Sequence, residues 1–448
     1  MKLLDPLFST ERTREIFSDQ SRVQRMLDFE AALARALEKV GLAPKKSAAV
    51  VESQCRSNLY SLDKLGAAAA QAGNLAIPLM KQLTARVSRL DQTAAGFVHL
   101  GATSQDVIDT GAVLQIRDAI DDTQTGLLRV SGQLEKLAIR HRGTVLAGRT
   151  WMQQAAPITL GLKFAGWLDT VERHRERLAQ TRKRIEVLQF GGAVGTLASL
   201  GSDGPRVAAA LAANLKLALP EISWHTQRDR FAEVAATYGL LVGTLGKIAR
   251  DISLMAQTEI AELAEPVAPG RGGSSTLPQK RNPLGCSVIL SAALRMPALV
   301  STMLSAMVQE HERGLGGWQA EWETLPEILM LAAGALAHLD QILAGLEVDE
   351  KAMARNLQAA KGLLMAEAVS AALAKKIGRA EAHELVGRVA HRAIESAKPF
   401  RDVLLAEKEI TEHLSAADID RLLQPGNYTG DAQATITRVI AASQKSRS

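Results

Sequence analysis

The chain has 448 residues, 47% hydrophobic and 23% charged, a mix that can bury a large core and excludes a disordered or collagen-like polymer. Its 53 Lys and Arg against 48 Asp and Glu leave +5, spread thinly enough that nucleic-acid binding is not indicated, while small anionic substrates would suit it. Two cysteines, Cys55 and Cys286, form neither a zinc motif nor a disulfide framework, which points to a reduced, cytoplasmic setting.

The opening MKLLDPLFSTERTREIF carries early acids and no apolar core of signal-peptide length. Residues 1–110 read as an N-terminal helical part. From there to about 348 the pattern becomes long and periodic. Val113, Ile116, Ile120, Thr123, Leu127, Val130, Leu134 and Leu137 advance in steps of three and four. A second seam runs Phe164, Trp167, Val171, His174, Leu178, Thr181, Ile185, Leu188, and a third runs Phe231 to Met255. Long helices with apolar seams need partners on several sides, so a bundle, shared in an oligomer, follows. No comparable run of period two is evident.

Between the seams lie linkers. Ala147–Pro157 separates the first two, with Pro157 placed to open a helix. Gly191–Pro205 and Glu265–Pro283 follow the second and third. The apolar stretches near 284–308 and 325–346 are broken by Arg295, Pro297, Glu327 and Asp340, so neither reads as a membrane span. Residues 349–448 carry shorter helices, and the closing SQKSRS is expected to fray.

The richest loop, Gly270–Pro283, combines glycines, two adjacent serines, Lys280 and Asn282. Glycines let backbone N–H groups approach an anion, and Lys280 adds a charge. A P-loop is excluded, since no Gly-Lys-Ser/Thr follows a strand. A plain surface connection is the competing reading. No His, Asp or Glu cluster has metal-ligand spacing, so neither metal nor cofactor is expected.

GSSTLPQKRNP resembles the signature G-S-S-x-M-P-x-K-x-N-P of the fumarase/aspartase superfamily. Gly273, Ser274, Ser275, Pro278, Lys280, Asn282 and Pro283 match, and Leu277 stands at the Met. HLGATSQDVIDT is similar to the H-x-G-x-T-S-x-D segment of the adenylosuccinate lyase branch, and TQRDRFAE is a weaker match to it. GRTWMQQAAPIT is similar to T-H-x-Q-x-A-x-P, but Trp151 stands where most members carry His. The resemblance covers essentially the whole chain. It implies an all-α, three-part subunit (1–110, 111–348, 349–448) with a central bundle of long helices. It also implies a homotetramer whose sites each draw on three chains.

Trp151 discriminates within the superfamily. In lyases that release an amine or purine, the His at this place helps the leaving group. An ionised carboxylate needs no such help, being a nucleophile at neutral pH. Its attack on a double bond within the same molecule gives a lactone. The chain thus resembles the lactonising branch, and Gln309–Pro326 resembles that branch as well. A tryptophan packed in the core of a degenerate lyase is the alternative.

The resemblance assigns Ser274 as proton carrier and Lys280 and Asn282 as stabilisers of charge on an unsaturated tricarboxylate. His99, Thr103, Ser104, Thr150, Trp151, Gln153, Gln227, Ser275 and Arg313 would hold the substrate. Thr103 and Ser104 could equally cap a helix beginning near Asp106, and Arg313 could merely pair with a Glu. Two other classes stay in view: a carbon–nitrogen lyase of the adenylosuccinate or argininosuccinate type, and a non-catalytic helical scaffold. The intact 274–282 motif argues against the scaffold, and Trp151 against the lyase.

Overall fold

The three seams become three long helices, Ser104–Arg140, Leu160–Ile185 and Asp229–Met255. A computed structural model describes residues 3–267, 272, 273, 277 and 279–447. Every apolar residue of the second and third seams is buried. Along the first, burial holds from Val113 to Leu134, then passes from Leu137 to Ala138. A straight helix turns every 3.6 residues, so a stripe spaced at 3.5 drifts off the buried face.

The seams' polar members are satisfied side to side. Thr123 Oγ1 lies 3.0 Å from the Tyr238 hydroxyl, and Thr181 meets Thr237 at 3.1 Å. His174 Nε2 lies 2.8 Å from Thr244 Oγ1, so this histidine is a packed seam residue. Cys286 is likewise a buried small side chain. The protein is all-α.

Two further long helices, Leu284–Ser305 and Gly317–Ala344, are by length and composition apolar enough to cross a membrane. In the second, 61% of the most apolar window is buried within the chain; in the first, only 33%. Leu294 and Leu304 of the first stand 80% and 50% exposed. Among the described residues, nothing covers Leu294 and much of this apolar face.

Contacts group the chain into two compact units, each discontinuous in sequence. One comprises Met1–Leu127, His174–Gly246 and Val288–His338; the other comprises Leu128–Arg173, Lys247–Ser287 and Leu339–Ser448. Each of the five long helices supplies residues to both. In the first, the Asp19–Val40 helix starts at Ser18, whose hydroxyl accepts from Ser21 N–H, and stops at Gly41 with φ 91°. In the second, a small apolar cluster around Val369, Leu385, Phe400 and Ile419 binds the later helices together.

The 147–157 segment is not a linker. It belongs to a β-hairpin, β1 (Val145–Thr150) against β2 (Gln153–Thr159), antiparallel with Thr150 opposite Gln153. Pro157 pairs with Ala147 inside it, and the next helix opens at Leu160 under a Thr159 hydroxyl that accepts from Leu162 N–H at 3.2 Å. A register shift at Gly148 buries Leu146, Ala147 and Gly148 in succession, which erases the period-two signal. Residues 443–447 do not fray either, and Ser448 lies outside the described residues. The Ala432–Arg447 helix runs through them, and Arg447 pairs with Glu135.

Candidate active site

The HLGATS segment enters the Ser104–Arg140 helix through a turn built on left-handed residues, His99 at φ 60° and Gly101 at φ 83°. A histidine in that region is strained and persists only where its surroundings over-determine it. Here Glu30, 1% exposed, does so twice: one carboxylate oxygen takes His99 N–H at 3.1 Å and the other meets Nδ1 at 2.6 Å. Burial opposes a charged ring, but the charge and hydrogen bond of Glu30, with Asp106 behind, raise the His99 pKa above its usual value. With Nδ1 engaged by Glu30, Nε2 is the ring nitrogen left to a ligand.

Asp106 is the keystone of this turn. It is the third residue of the helix, and its carboxylate reaches back to Thr103 N–H at 3.0 Å, as the third residue of a capping box does. The same carboxylate accepts from Gly191 N–H at 3.0 Å, Gly192 N–H at 2.9 Å, His225 Nε2 at 2.7 Å and Gln189 Nε2 at 3.3 Å. Five donors thus converge on one side chain with no solvent exposure. Gly191 allows the approach: a Cβ there would fall 2.4 Å from the Ser223 hydroxyl. Three segments far apart in sequence are thereby pinned together.

Arg313 closes the arrangement. It donates to Thr103 Oγ1 at 2.8 Å and to Ala193 C=O at 2.7 Å. It does not pair with a neighbouring Glu among its hydrogen bonds described. Thr226 Oγ1 donates to His311 C=O at 2.9 Å, tying the 226–228 stretch to the same loop. His99, Thr103, Ser104 and Arg313 are all half-buried, whereas Gln227 is exposed.

Beneath them Arg228, at 2% exposure, is held between two buried carboxylates. Its Nη1 meets Asp109 at 2.6 Å, while Nε and Nη2 meet Glu321 at 3.0 and 2.5 Å. Trp318 Nε1 donates to Asp109 at 2.9 Å, and Arg228 also reaches His225 C=O at 3.3 Å. Asp106, Glu30, His225, Arg228, Asp109 and Glu321 carry no role in the sequence reading. Asp106, Asp109, Arg228 and Glu321 lie inside its quoted motifs, and that was the available signal.

In the other unit, Trp151 and Met152 form the two-residue loop of the hairpin, at φ 51° and 65°. Positive φ at both central residues is the type I′ condition, normally met by Asn-Gly or Gly-Gly. Trp151 is 97% exposed and Met152 72% exposed, so the core-tryptophan alternative falls. Thr150 and Gln153 flank them and are exposed as well. The hairpin base is rigid. Arg149 makes a two-pronged pair with buried Glu262 at 2.9 and 2.7 Å, and Asn356 donates to the same carboxylate at 2.8 Å.

The signature loop also begins and ends in this unit. Asn282 N–H donates to Gly272 C=O at 2.9 Å and its amide to Gly273 C=O at 3.4 Å. Gly272 sits at φ 69°, where a Cβ would meet Asn282 C=O at 2.8 Å, so glycine is required. Glu265 caps the following helix, accepting from Gly285 and Cys286 N–H at 2.9 and 2.7 Å. Arg281 bridges Glu347 and Glu265 C=O, and Lys280 stands exposed. Ser274 and Ser275 lie outside the described residues.

The helical bundle and the three loop motifs together define a class. A family model described as Lyase matches residues 8–297, and one described as Adenylosuccinate lyase C-terminus matches residues 362–439. The chain belongs to this lyase family, the fumarase/aspartase superfamily. A 3-carboxy-cis,cis-muconate cycloisomerase of Pseudomonas aeruginosa is 52% identical over 98% of this chain and 96% of its own. One from Pseudomonas putida is 49% identical over 94% and 99%. The crystal structure of 3-carboxy-cis,cis-muconate lactonizing enzyme from Pseudomonas putida matches with TM-score 0.95 and 48% identity, covering 100% of both chains.

Proposed function

We propose that this chain is a cycloisomerase that converts 3-carboxy-cis,cis-muconate to carboxymuconolactone, within protocatechuate and β-ketoadipate catabolism. Likeness along the whole chain supports the reading. The observation that carries it is residue 151. An exposed tryptophan is presented on a braced hairpin where amine-releasing members carry His.

The chemistry is internal to one substrate. A carboxylate oxygen bonds to one carbon of the double bond, and the π pair moves onto the neighbouring carbon and its attached carboxylate. That carbon then takes a proton, so substrate and product are isomers and no co-reactant is consumed. Charge accumulating on the second carboxylate would be met by Lys280, Asn282 and loop N–H groups. Ser274 would carry the proton, with Ser275, His99, Thr103, Ser104, Arg313, Thr150, Trp151, Gln153 and Gln227 holding the three carboxylates and the carbon frame.

The active form is proposed as a cytoplasmic homotetramer of three-part subunits, with sites shared between chains. The exposed hairpin tip and the bare apolar face of Leu284–Ser305 support it, since such surfaces mark protein contacts. Absorbance assays of the purified protein with carboxymuconate and with adenylosuccinate test the reading; turnover of the second alone would replace it with a lyase. Ser274→Ala should lower kcat by ~10²–10⁴ with little change in binding.

A further inference from the structure

We infer that Arg228 is a positioning residue for this reaction. Clamped between Asp109 and Glu321, it fixes the His225–Gln227 stretch against the Ser104–Arg140 helix and against the loop that carries Arg313. The inference rests on the cycloisomerase reading for its substrate, but not for its geometry.

Arg228 directly follows Gln227 and bends the chain back by donating to His225 C=O. Asp109 lies on the same helix as Ser104, one turn past it, so one prong of the guanidinium references the first motif. Glu321 lies in the first turns of Gly317–Ala344, so the other prong references the far end of the 309–316 loop. That loop and the helix start after it are tied at three points: Gln309 Nε2 to Glu321 at 3.4 Å, His311 C=O to Thr226, and Trp318 Nε1 to Asp109. Arg313 sits between the ties and grips Thr103. Three binding segments therefore share one guanidinium as their common reference. A lysine could not replace it, because five hydrogen bonds, two to each carboxylate and one to His225 C=O, use the planar fork.

The clamp is also charged in a way that bears on an anionic substrate. Two carboxylates face one guanidinium, all at most 3% exposed. A cavity of about 80 Å³ with apolar walls, Phe17, Met26 and Phe231 among them, adjoins Asp109 and Glu321. Arg22 of the Asp19–Val40 helix lines it too, but directs its guanidinium to Trp322 C=O and Glu323. Burial pushes Glu321 up to about 7, with Asp109 adding to the rise and Arg228 opposing it. Loss of a proton from Glu321 adds one negative charge to this buried clamp.

The test uses the full-length enzyme with 3-carboxy-cis,cis-muconate and two variants. Arg228→Lys should raise KM about tenfold while leaving kcat within about threefold, the pattern of misplaced binding groups. Amide exchange in 224–228 and 309–317 should quicken in the same variant. In the wild type KM should rise as pH passes 7, and tryptophan fluorescence should change in step, because Trp318 donates to Asp109 and the Trp224 ring lies 5.3 Å from Arg228. Glu321→Gln should remove the fluorescence change. Arg228→Lys with wild-type KM and exchange overturns the inference, as does a fluorescence change near pH 7 that survives in Glu321→Gln. If the wild type does not turn over this substrate, the functional reading fails, and exchange and fluorescence still decide the clamp.

Discussion

Among the residues held in the left-handed region, His99 and the Trp151–Met152 pair are held very differently. His99 is over-determined within its own chain, by two bonds to Glu30 and by a turn anchored on Asp106. Trp151 and Met152 stand on a hairpin whose base is braced but whose tip is bare. Strain of order 1–3 kcal/mol per residue is compensated locally in the first case, and in the second by no hydrogen bond to the tip among the described residues. The contrast separates a proposed binding surface satisfied within its own chain from one proposed to be completed by another molecule.

The largest break in that contrast comes from Asp106→Ala. It would leave five buried donors without their acceptor, and destabilisation of about 3–5 kcal/mol is expected. Denaturant unfolding measures it; an unchanged midpoint would show that the five bonds carry no net weight. At the tip the reverse holds. Trp151→His should leave chain stability within about 0.5 kcal/mol, as exposed sites do, yet reduce kcat/KM by at least roughly tenfold. Full lactonising activity in that variant would remove residue 151 from the site, and no lyase activity on adenylosuccinate should appear.

A smaller effect tests the His99 side through pH. Its pKa is raised in the folded state, so its contribution is complete below the unfolded value of about 6.5 and is lost as pH climbs through the folded value. Thermal midpoints of wild type minus His99→Gln should therefore shrink as pH increases above about 6.5. A difference that grows over that range would contradict the Glu30 pairing. Least of all, replacing Trp151-Met152 by Asn-Gly should stabilise the hairpin by about 0.5–1 kcal/mol while abolishing its part in catalysis. Destabilisation instead would mean that the turn is not strained.

Much of the architecture was readable residue by residue. Three seams spaced by three and four residues lie buried in three helices, because a helix repeats over a few residues and needs no distant information. The short motifs were readable for a similar reason: each is a local run with its own turn chemistry. The hairpin was not, because a bulge at Gly148 and small residues remove the alternation that announces a strand.

Sequence by itself thus determined the all-α class, the long helices, the family motifs and the anomaly at position 151. Only the tertiary structure decided which distant segments meet. Asp106 lies 85 positions from Gly191 and 119 from His225, and Arg228 lies 119 from Asp109 and 93 from Glu321. No local pattern encodes such pairs. They form because burying a carboxylate or a guanidinium is tolerable only where enough partners converge, and convergence is a property of packed helices rather than of any one stretch of chain.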